Sequence, residues 1–335
     1  MICTNKFPSV NNNNRRIAII GDFPGRDDVI TGEPFTGMAG RFLAALLSKA
    51  GYSRSNCFLG NISQYQPPLN KIEAFAWDGW EIKEGLEQLH KDLAEFKPNI
   101  VVLLGNVPLK AAMDPLTIHV LKPKTFKFKN SLYRGTLFMP YAGPFAGLKC
   151  ISTYHPAYTL RDYATAPLLF FDLKRALEEA TTPELILPKR TLLTDLSYWE
   201  ILDRIKLIRN EKKLVATDIE GRLDTMSCIS FAISPYLAFI VPFIKKDGTS
   251  YWEHDKEISL MLAIAGLLED PNVPKILQNS LYDTFVLQFS YHITVRNVID
   301  DTMLKWWELF CELPKSLAMQ TSILTREPFY KDEGK

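Results

Sequence analysis

Residues 21–40 read GDFPGRDDVITGEPFTGMAG, and their reading decides the fold of the first half of the chain. The stretch follows the apolar run Ile17-Ala18-Ile19-Ile20 and leads into Arg41-Phe42-Leu43-Ala44-Ala45-Leu46-Leu47. Strand, glycine-rich loop and helix in that order set a pocket at the carboxyl end of a strand, where open α/β sheets take their ligands. The loop holds five glycines, two prolines and four acidic residues, and it ends on a helix N-terminus suited to an anion. No Gly-Lys-Ser/Thr closes it as in a phosphate loop. The Gly-x-Gly-x-x-Gly spacing of a dinucleotide site is missing too.

Outward from this loop, the first half alternates strands and helices. Residues 41–50 read as a helix stopped by Gly51, and Cys57-Phe58-Leu59-Gly60 as a strand delivering Asn61. A loop with Pro67-Pro68-Leu69-Asn70 follows, then helical spacing over 80–96. Residues 100–104 are uniformly apolar, the mark of a buried parallel strand, and Gly105 closes it. A β-rich excursion is expected over 126–146. Cys150-Ile151-Ser152-Thr153 is a further strand, delivering Tyr154-His155-Pro156, and 168–179 form an amphipathic helix. Polar residues thus recur just after strands.

Pro183 and Pro188 mark 181–190 as a linker. Beyond it a second α/β unit is expected, with helices over 198–209, 258–268 and 282–289 and strands near 214–218, 227–233, 237–241 and 275–277. The expected division is a flexible leader over 1–15, a domain over 16–180, the linker, and a domain over 191–335. A chain of 335 residues with 47% hydrophobic content can bury two such cores. Its 39 basic and 38 acidic residues give no global field for nucleic acid, leaving only a local groove. The five cysteines form no CxxC pair, which argues against a disulfide framework or structural zinc and for a reducing compartment. No segment is long and apolar enough for a membrane span, so a soluble, cytoplasmic chain without a membrane partner is expected.

Three polar groups follow strands in the first half: the Asp22/Asp27/Asp28 cluster, Asn61 and His155, with the aromatic Phe35 inside the loop. Taken singly, an asparagine after a strand is a cap, a His-Pro a turn and a loop phenylalanine core. Together they have the chemistry of a nucleobase pocket. A flipped base stacks on an aromatic face and has its edge read by a fixed amide. The asparagine amide offers a donor beside an acceptor, matching O4 and N3–H of uracil and mismatching cytosine. Cleavage of the N-glycosidic bond creates a cationic sugar and an anionic base. A carboxylate can stabilise the first and orient water, and a histidine can donate to the second.

Residues 21–40 resemble the first motif of the uracil-DNA glycosylase superfamily, family 4 in particular: Gly-Glu-x-Pro-Gly, Glu-Asp, then Gly-x-Pro-Phe-x-Gly-x-Ala-Gly. Residues 61–68, NISQYQPP, resemble its Asn-x-x-x-x-x-Pro-Pro motif, and 154–161, YHPAYTLR, its His-Pro motif. The likeness covers roughly 16–180 and implies a three-layer α/β/α sandwich with a parallel sheet. By position it implies that Phe35 stacks on uracil, Asn61 reads its edge and Asn70 lies near the base. It makes His155, Asp28 and Asp22 catalytic: His155 stabilises the leaving base, Asp28 stands for a water-positioning glutamate and Asp22 for a pocket glutamate. Leu160 and Arg161 would enter the DNA groove. Two departures stand out. Both glutamates are shortened to aspartate, drawing each carboxylate back by one methylene. The family's set of four iron–sulfur cysteines is absent: only Cys3 precedes the loop, Gln64-Tyr65 stands at one position and no cysteine lies near Gly85. No cofactor is therefore expected for this domain. With no lysine or N-terminal amine placed for a Schiff base, a monofunctional glycosylase is expected.

In the second half, Val215-Ala216-Thr217-Asp218-Ile219-Glu220-Gly221 sets two carboxylates on one side of a strand end, and Asn279-Ser280-Leu281-Tyr282-Asp283 opens a helix with a third. Carboxylates so spaced suit two divalent ions in phosphodiester hydrolysis. The arrangement resembles the 3′–5′ proofreading exonuclease domain of family A DNA polymerases, within the DEDD superfamily. That likeness implies an RNase H-like α/β fold, Mg²⁺ or Mn²⁺, and Asp218, Glu220 and Asp283 as metal ligands. Glu312-Leu313-Pro314-Lys315-Ser316-Leu317 and the tail from Tyr330 resemble the stretch before the third motif, Tyr-x-x-x-Asp, which does not arrive before Lys335. An incomplete domain with weak or no exonuclease activity is expected for this chain alone, with two explanations open: a separately encoded polymerase chain completes the site, or the sequence is a fragment of a longer one. The whole is expected to act on uracil-containing DNA beside a phage or bacterial polymerase. The alternatives are a catalytically weakened module of a DNA polymerase that binds uracil or template DNA, and a 3′–5′ exonuclease completed by another chain.

Overall fold

A computed structural model describes residues 2–9, 15–75, 79–115 and 129–328. The chain divides into two compact units, Met1–Leu187 with Gln320–Lys335, and Pro188–Met319.

The first unit contains β1 (Ile17–Gly21), α1 (Arg26–Thr31), α2 (Met38–Lys49), β2 (Cys57–Asn61), α3 (Trp80–Phe96), β3 (Ile100–Leu104), α4 (Asn106–Met113), α5 (Asn130–Tyr133), β4 (Leu137–Phe138), β5 (Cys150–Thr153), α6 (Pro156–Thr159) and α7 (Ala166–Glu179). Its sheet has the order β2-β1-β3-β5-β4, with the first four strands parallel and β4 antiparallel. Alternation along β1 creates two cores. Ile17 and Ile19 pack with Leu43 and Leu47 of α2 and Leu169 and Leu173 of α7. Ala18 and Ile20 face the other way, onto Leu89 and Leu93 of α3 and Val107 of α4. A strand buried on both faces must be apolar throughout, and β1 and β3 are buried at all five positions. The result is a three-layer α/β/α sandwich.

Two local expectations change here. The glycine-rich stretch is not one loop, since α1 occupies its middle and stops at Gly32, which takes the left-handed φ of 73°. The described part of the 126–146 excursion carries the helix α5 and only a two-residue strand. Residues 116–128 lie outside the described residues.

The second unit continues with β6 (Thr191–Leu193), α8 (Tyr198–Glu211), β7 (Val215–Arg222), β8 (Thr225–Ser234), β9 (Leu237–Pro242), α9 (His254–Leu268), β10 (Lys275–Leu277), α10 (Ser280–Tyr291), β11 (Val298–Asp301) and α11 (Thr302–Leu309). The sheet order is β11-β10-β7-β8-β9-β6. Strands β7, β8 and β9 are antiparallel, whereas β10 and β11 run parallel to β7. This is RNase H-like topology with β6 added at the edge. Its core joins Ile201, Ile205 and Ile208 of α8 to Leu260, Ile264 and Leu267 of α9. Strand β7 does not end at Asp218 as expected but runs on to Arg222 in a hairpin with β8.

A last helix, α12 (Leu317–Leu324), lies in the stretch expected to belong wholly to the second domain. From Gln320 the chain is part of the first unit instead. Buried Arg134 donates to Ser322 Oγ (2.7 Å), and Arg175 to the Ser322 and Ile323 carbonyls (2.7 and 2.8 Å). Two guanidinium groups seeking acceptors thus hold the returning segment. The tail from Tyr330 lies outside the described residues. Among the described residues no helix is long and apolar enough to cross a membrane.

Candidate active site

Parallel strands in matched register bring their carboxyl ends to one edge. Gly21 pairs with Asn61, and Leu104 with Thr153, so Asp22, Asn61, Gly105 and His155 arrive together. A cleft of about 870 Å³ opens there, with Asp22, Asp28, Phe35, Asn70, His155 and Arg161 among its lining. Asn61 and Leu160 are not on its wall.

Phe35 is buried and adopts a left-handed φ of 59°, a conformation that a bulky residue keeps only when its surroundings impose it. Two glycines impose it. A Cβ on Gly40 would lie 1.7 Å from the Phe35 carbonyl oxygen, and one on Gly21 would lie 2.8 Å from the ring tip. The same Gly21 position is 2.7 Å from Asn61 Oδ1, so the ring and the amide meet over Gly21. The Asn61 side chain, 4% exposed, makes no hydrogen bond among the described residues. Asn70 accepts from Gln66 Nε2 at 2.7 Å, with a left-handed φ of 57°.

The two aspartates differ. Asp28 is consumed by the loop: Oδ1 accepts from the Thr36 amide (2.7 Å), the Thr36 hydroxyl (2.9 Å) and the Gly37 amide (3.3 Å), and Oδ2 from the Gly25 amide (3.0 Å). It is a staple. Asp22 Oδ1 is sealed from solvent and has no hydrogen-bond partner among the described residues. Burial pushes its carboxyl up to about 7.

His155 caps α6, with Nδ1 accepting from the Ala157 amide at 3.1 Å. That leaves the proton of the neutral ring on Nε2. Burial, helped by Arg161 and opposed by Asp28, pulls its pKa down to about 4. The ring is therefore a neutral donor at physiological pH, and its centroid is 6.4 Å from that of Phe35. Gly105, with φ 99°, stands between the two candidates: a Cβ there would be 3.3 Å from both Asp22 Oδ1 and His155 Cβ.

Sequence reasoning passed over the supports of this edge. Asn130 Nδ2 and the Gly105 amide both donate to the Thr153 carbonyl (2.5 and 2.9 Å), and the Asn130 amide donates to Asn106 Oδ1 (2.7 Å). The Thr153 hydroxyl donates to Asp172 (2.6 Å), itself paired with buried Arg134. The apolar 100–104 run closed by Gly105 was the available signal for Gly105. Nothing local marked Asn130 or Arg134.

The residues do not fit the family's iron–sulfur cluster. The Cys3 amide donates to the Gln64 carbonyl (3.0 Å), so Cys3 stands beside a glutamine. A Cβ on Gly85 would lie 2.2 Å from the Ile62 carbonyl oxygen, leaving no room for a thiolate. Cys57 and Cys150 lie within β2 and β5.

In the second unit, Asp218 and Glu220 project from the same face of β7. Asp283 opens α10, with Oδ1 accepting from the Ile219 amide at 3.1 Å. Burial raises Asp283 to about 6, Asp218 and Glu220 add to it, and the Ile219 amide opposes. Burial and then Glu220 raise Asp218. Yet no three His, Cys, Asp or Glu side chains among the described residues gather closely enough to hold a metal, so the expected ligand set is not assembled as a cage. Asp283 is turned to the backbone, and Asp218 and Glu220 are spread along a strand.

Residues 7–180 match the family described as Uracil DNA glycosylase superfamily. The chain is similar to the Type-4 uracil-DNA glycosylase of Archaeoglobus fulgidus, at 28% identity over 47% of this chain and 73% of that protein. It is similar to that of Pyrobaculum aerophilum, at 31% identity over 43% and 68%. Among solved structures it is similar to the catalytic core of RRP6 from Trypanosoma brucei, at 18% identity over 44% of this chain and 39% of that one, with a TM-score of 0.34. For Escherichia coli RNase D the figures are 17%, 44%, 36% and 0.31.

Proposed function

The chain belongs to the uracil DNA glycosylase superfamily, and from that premise we propose that its first unit is a monofunctional glycosylase hydrolysing the N-glycosidic bond of deoxyuridine in DNA. One observation carries the reading. A buried Asp22 oxygen without a hydrogen-bond partner among the described residues and a neutral His155 flank Gly105 in one cleft. The flipped uracil stacks on Phe35, Asn61 and Asn70 meet its polar edge, and Leu160 with Arg161 hold the opened strand. As the C1′–N1 bond breaks, His155 Nε2–H donates to the oxygen on which the base anion gathers charge. A neutral imidazole suits this donation because it needs no desolvated positive charge. Ionised Asp22 stabilises the cationic sugar and takes the proton of the attacking water. Asp28 serves by holding the loop in shape.

The second unit, in this reading, couples excision to replication by meeting a separately encoded polymerase in the cytoplasm of a bacterium or phage-infected cell. Its carboxylates would take Mg²⁺ or Mn²⁺ only after rearrangement. The rival is a module that binds uracil without cleaving, motivated by the shortened Asp22 and Asp28. Incubation of the full chain with a uracil-containing oligonucleotide, followed by alkali, separates the two. Scission at the uracil position is expected. Binding without scission at stoichiometric protein would leave the rival standing.

A further inference from the structure

Apart from Asp22, the cleft holds a second buried oxygen without a partner. Asn130 is 4% exposed and lines the cleft, and its Oδ1 has no hydrogen-bond partner among the described residues. Its orientation is fixed by chemistry. Nδ2 donates to the Thr153 carbonyl, which only a donor can satisfy, so the other end of the amide must be the oxygen. The same carbonyl receives the Gly105 amide, and Gly105 is the residue against which Asp22 Oδ1 rests. Two sealed acceptors therefore share the surroundings of Gly105. An unsatisfied buried acceptor is costly, and a pair of them beside one cleft is satisfied by a molecule with two O–H donors.

We propose that Asn130 is a further catalytic residue, whose Oδ1 holds the attacking water jointly with Asp22 Oδ1. The inference rests on the glycosylase reading and extends it. A water donating one proton to each oxygen turns a lone pair outward. Its oxygen bonds to C1′ as the C1′–N1 bond pair leaves with uracil, and the water proton facing Asp22 passes to that carboxylate. The other proton stays on the new C1′ hydroxyl. Asn130 cannot take a proton, so its part is orientation. Dividing the task in this way accommodates an aspartate whose reach is one methylene shorter than a glutamate's.

The test uses the full chain with Asn130→Ala, Asn130→Asp, Asp22→Asn and the double variant Asp22→Asn/Asn130→Ala. Asn130→Ala should lower the single-turnover excision rate roughly 10- to 100-fold, with unchanged affinity for an oligonucleotide carrying non-cleavable 2′-fluoro-deoxyuridine. If both oxygens hold one water, the double variant should be little slower than Asp22→Asn alone. Asn130→Asp keeps the acceptor and adds a like charge, so it should move the rate's rising limb to higher pH, a change that a purely structural role would not produce. A wild-type rate in Asn130→Ala, or fully multiplicative losses in the double variant, overturns the proposal. A crystal structure of the wild-type chain decides independently of folding in the variants. Water within hydrogen-bond distance of both oxygens is expected, and its absence overturns the proposal. Wild-type protein that never excises uracil sinks the glycosylase reading and this proposal with it, whereas an active wild type matched by Asn130→Ala sinks this proposal alone.

Discussion

The two sheets present their carboxylates in different ways. In the first unit four parallel strands stop at one edge, and the ends of β1 and β5 bring Asp22 and His155 to the cleft from different directions. In the second, β7 carries Asp218 and Glu220 in mid-strand and runs on into a hairpin. Side chains at the ends of separate strands can converge, whereas side chains alternating along one strand stay spread. Convergence makes Asp22 buried and unpartnered, with its carboxyl near 7. Spreading leaves Asp218 and Glu220 adding to the burial that raises Asp283, with no three such side chains gathered as a metal cage among the described residues. Burial around a shared point is what turns a cluster into a reaction site.

The contrast can be broken, most directly at the first site. His155→Ala should slow uracil excision roughly 10²–10³-fold in single-turnover assays, through loss of the donor to the departing base; a loss of only a few-fold would remove the convergent site from the argument. Asp22→Asn should slow it by on the order of 10²-fold, and it carries a second signature. The Asp22 carboxyl is raised from its ordinary 3.8 to about 7, so between these values the unfolded chain has lost a proton that the folded chain retains. Stability from this group is full below pH 4 and declines as pH rises to about 7. At pH 8 the asparagine variant should accordingly be more stable by on the order of a few kcal/mol, read as a higher unfolding temperature. For the wild type, the excision rate should rise with pH through about 7.

Smaller effects sharpen the comparison. Gly105→Ala meets both a left-handed φ of 99° and a 3.3 Å approach to Asp22 and His155. It should lose roughly 1–3 kcal/mol in denaturant unfolding and slow excision about tenfold by parting the two groups. Asp218→Ala should leave excision untouched. Its effect belongs to Asp283, whose titration, followed by NMR, should move down from about 6 once the neighbouring charge is gone. An unchanged Asp283 would mean that the second cluster is no cluster at all.

Much of the first unit was legible in the sequence because its signals are local. An apolar run that must be buried on both faces reads as a parallel strand, and the glycines of 21–40 mark where a chain must pass close to something. Which carboxylate is free was not legible. Asp22 and Asp28 look alike in a string of letters. Only the fold shows that four hydrogen bonds from Gly25, Thr36 and Gly37 occupy Asp28 while Asp22 has none on Oδ1. Asn130 was hidden for a related reason, since its neighbours Asn106 and Thr153 are 24 and 23 residues away. The length of β7 depended on pairing with β8, and the return of Gln320 onward depended on two arginines far back in the chain.

That return also sets an order of events during synthesis. Domains generally fold as they emerge, the N-terminal one first. Here the second unit, Pro188–Met319, is complete in sequence before the ribosome has made Ser322, the acceptor for Arg134 and Arg175. Arg134 is paired to Asp172, and Asp172 to Thr153, two positions ahead of His155. The unit begun first is therefore the last to have its sequence completed, and a chain cut short before residue 322 lacks the acceptors that Arg134 and Arg175 reach.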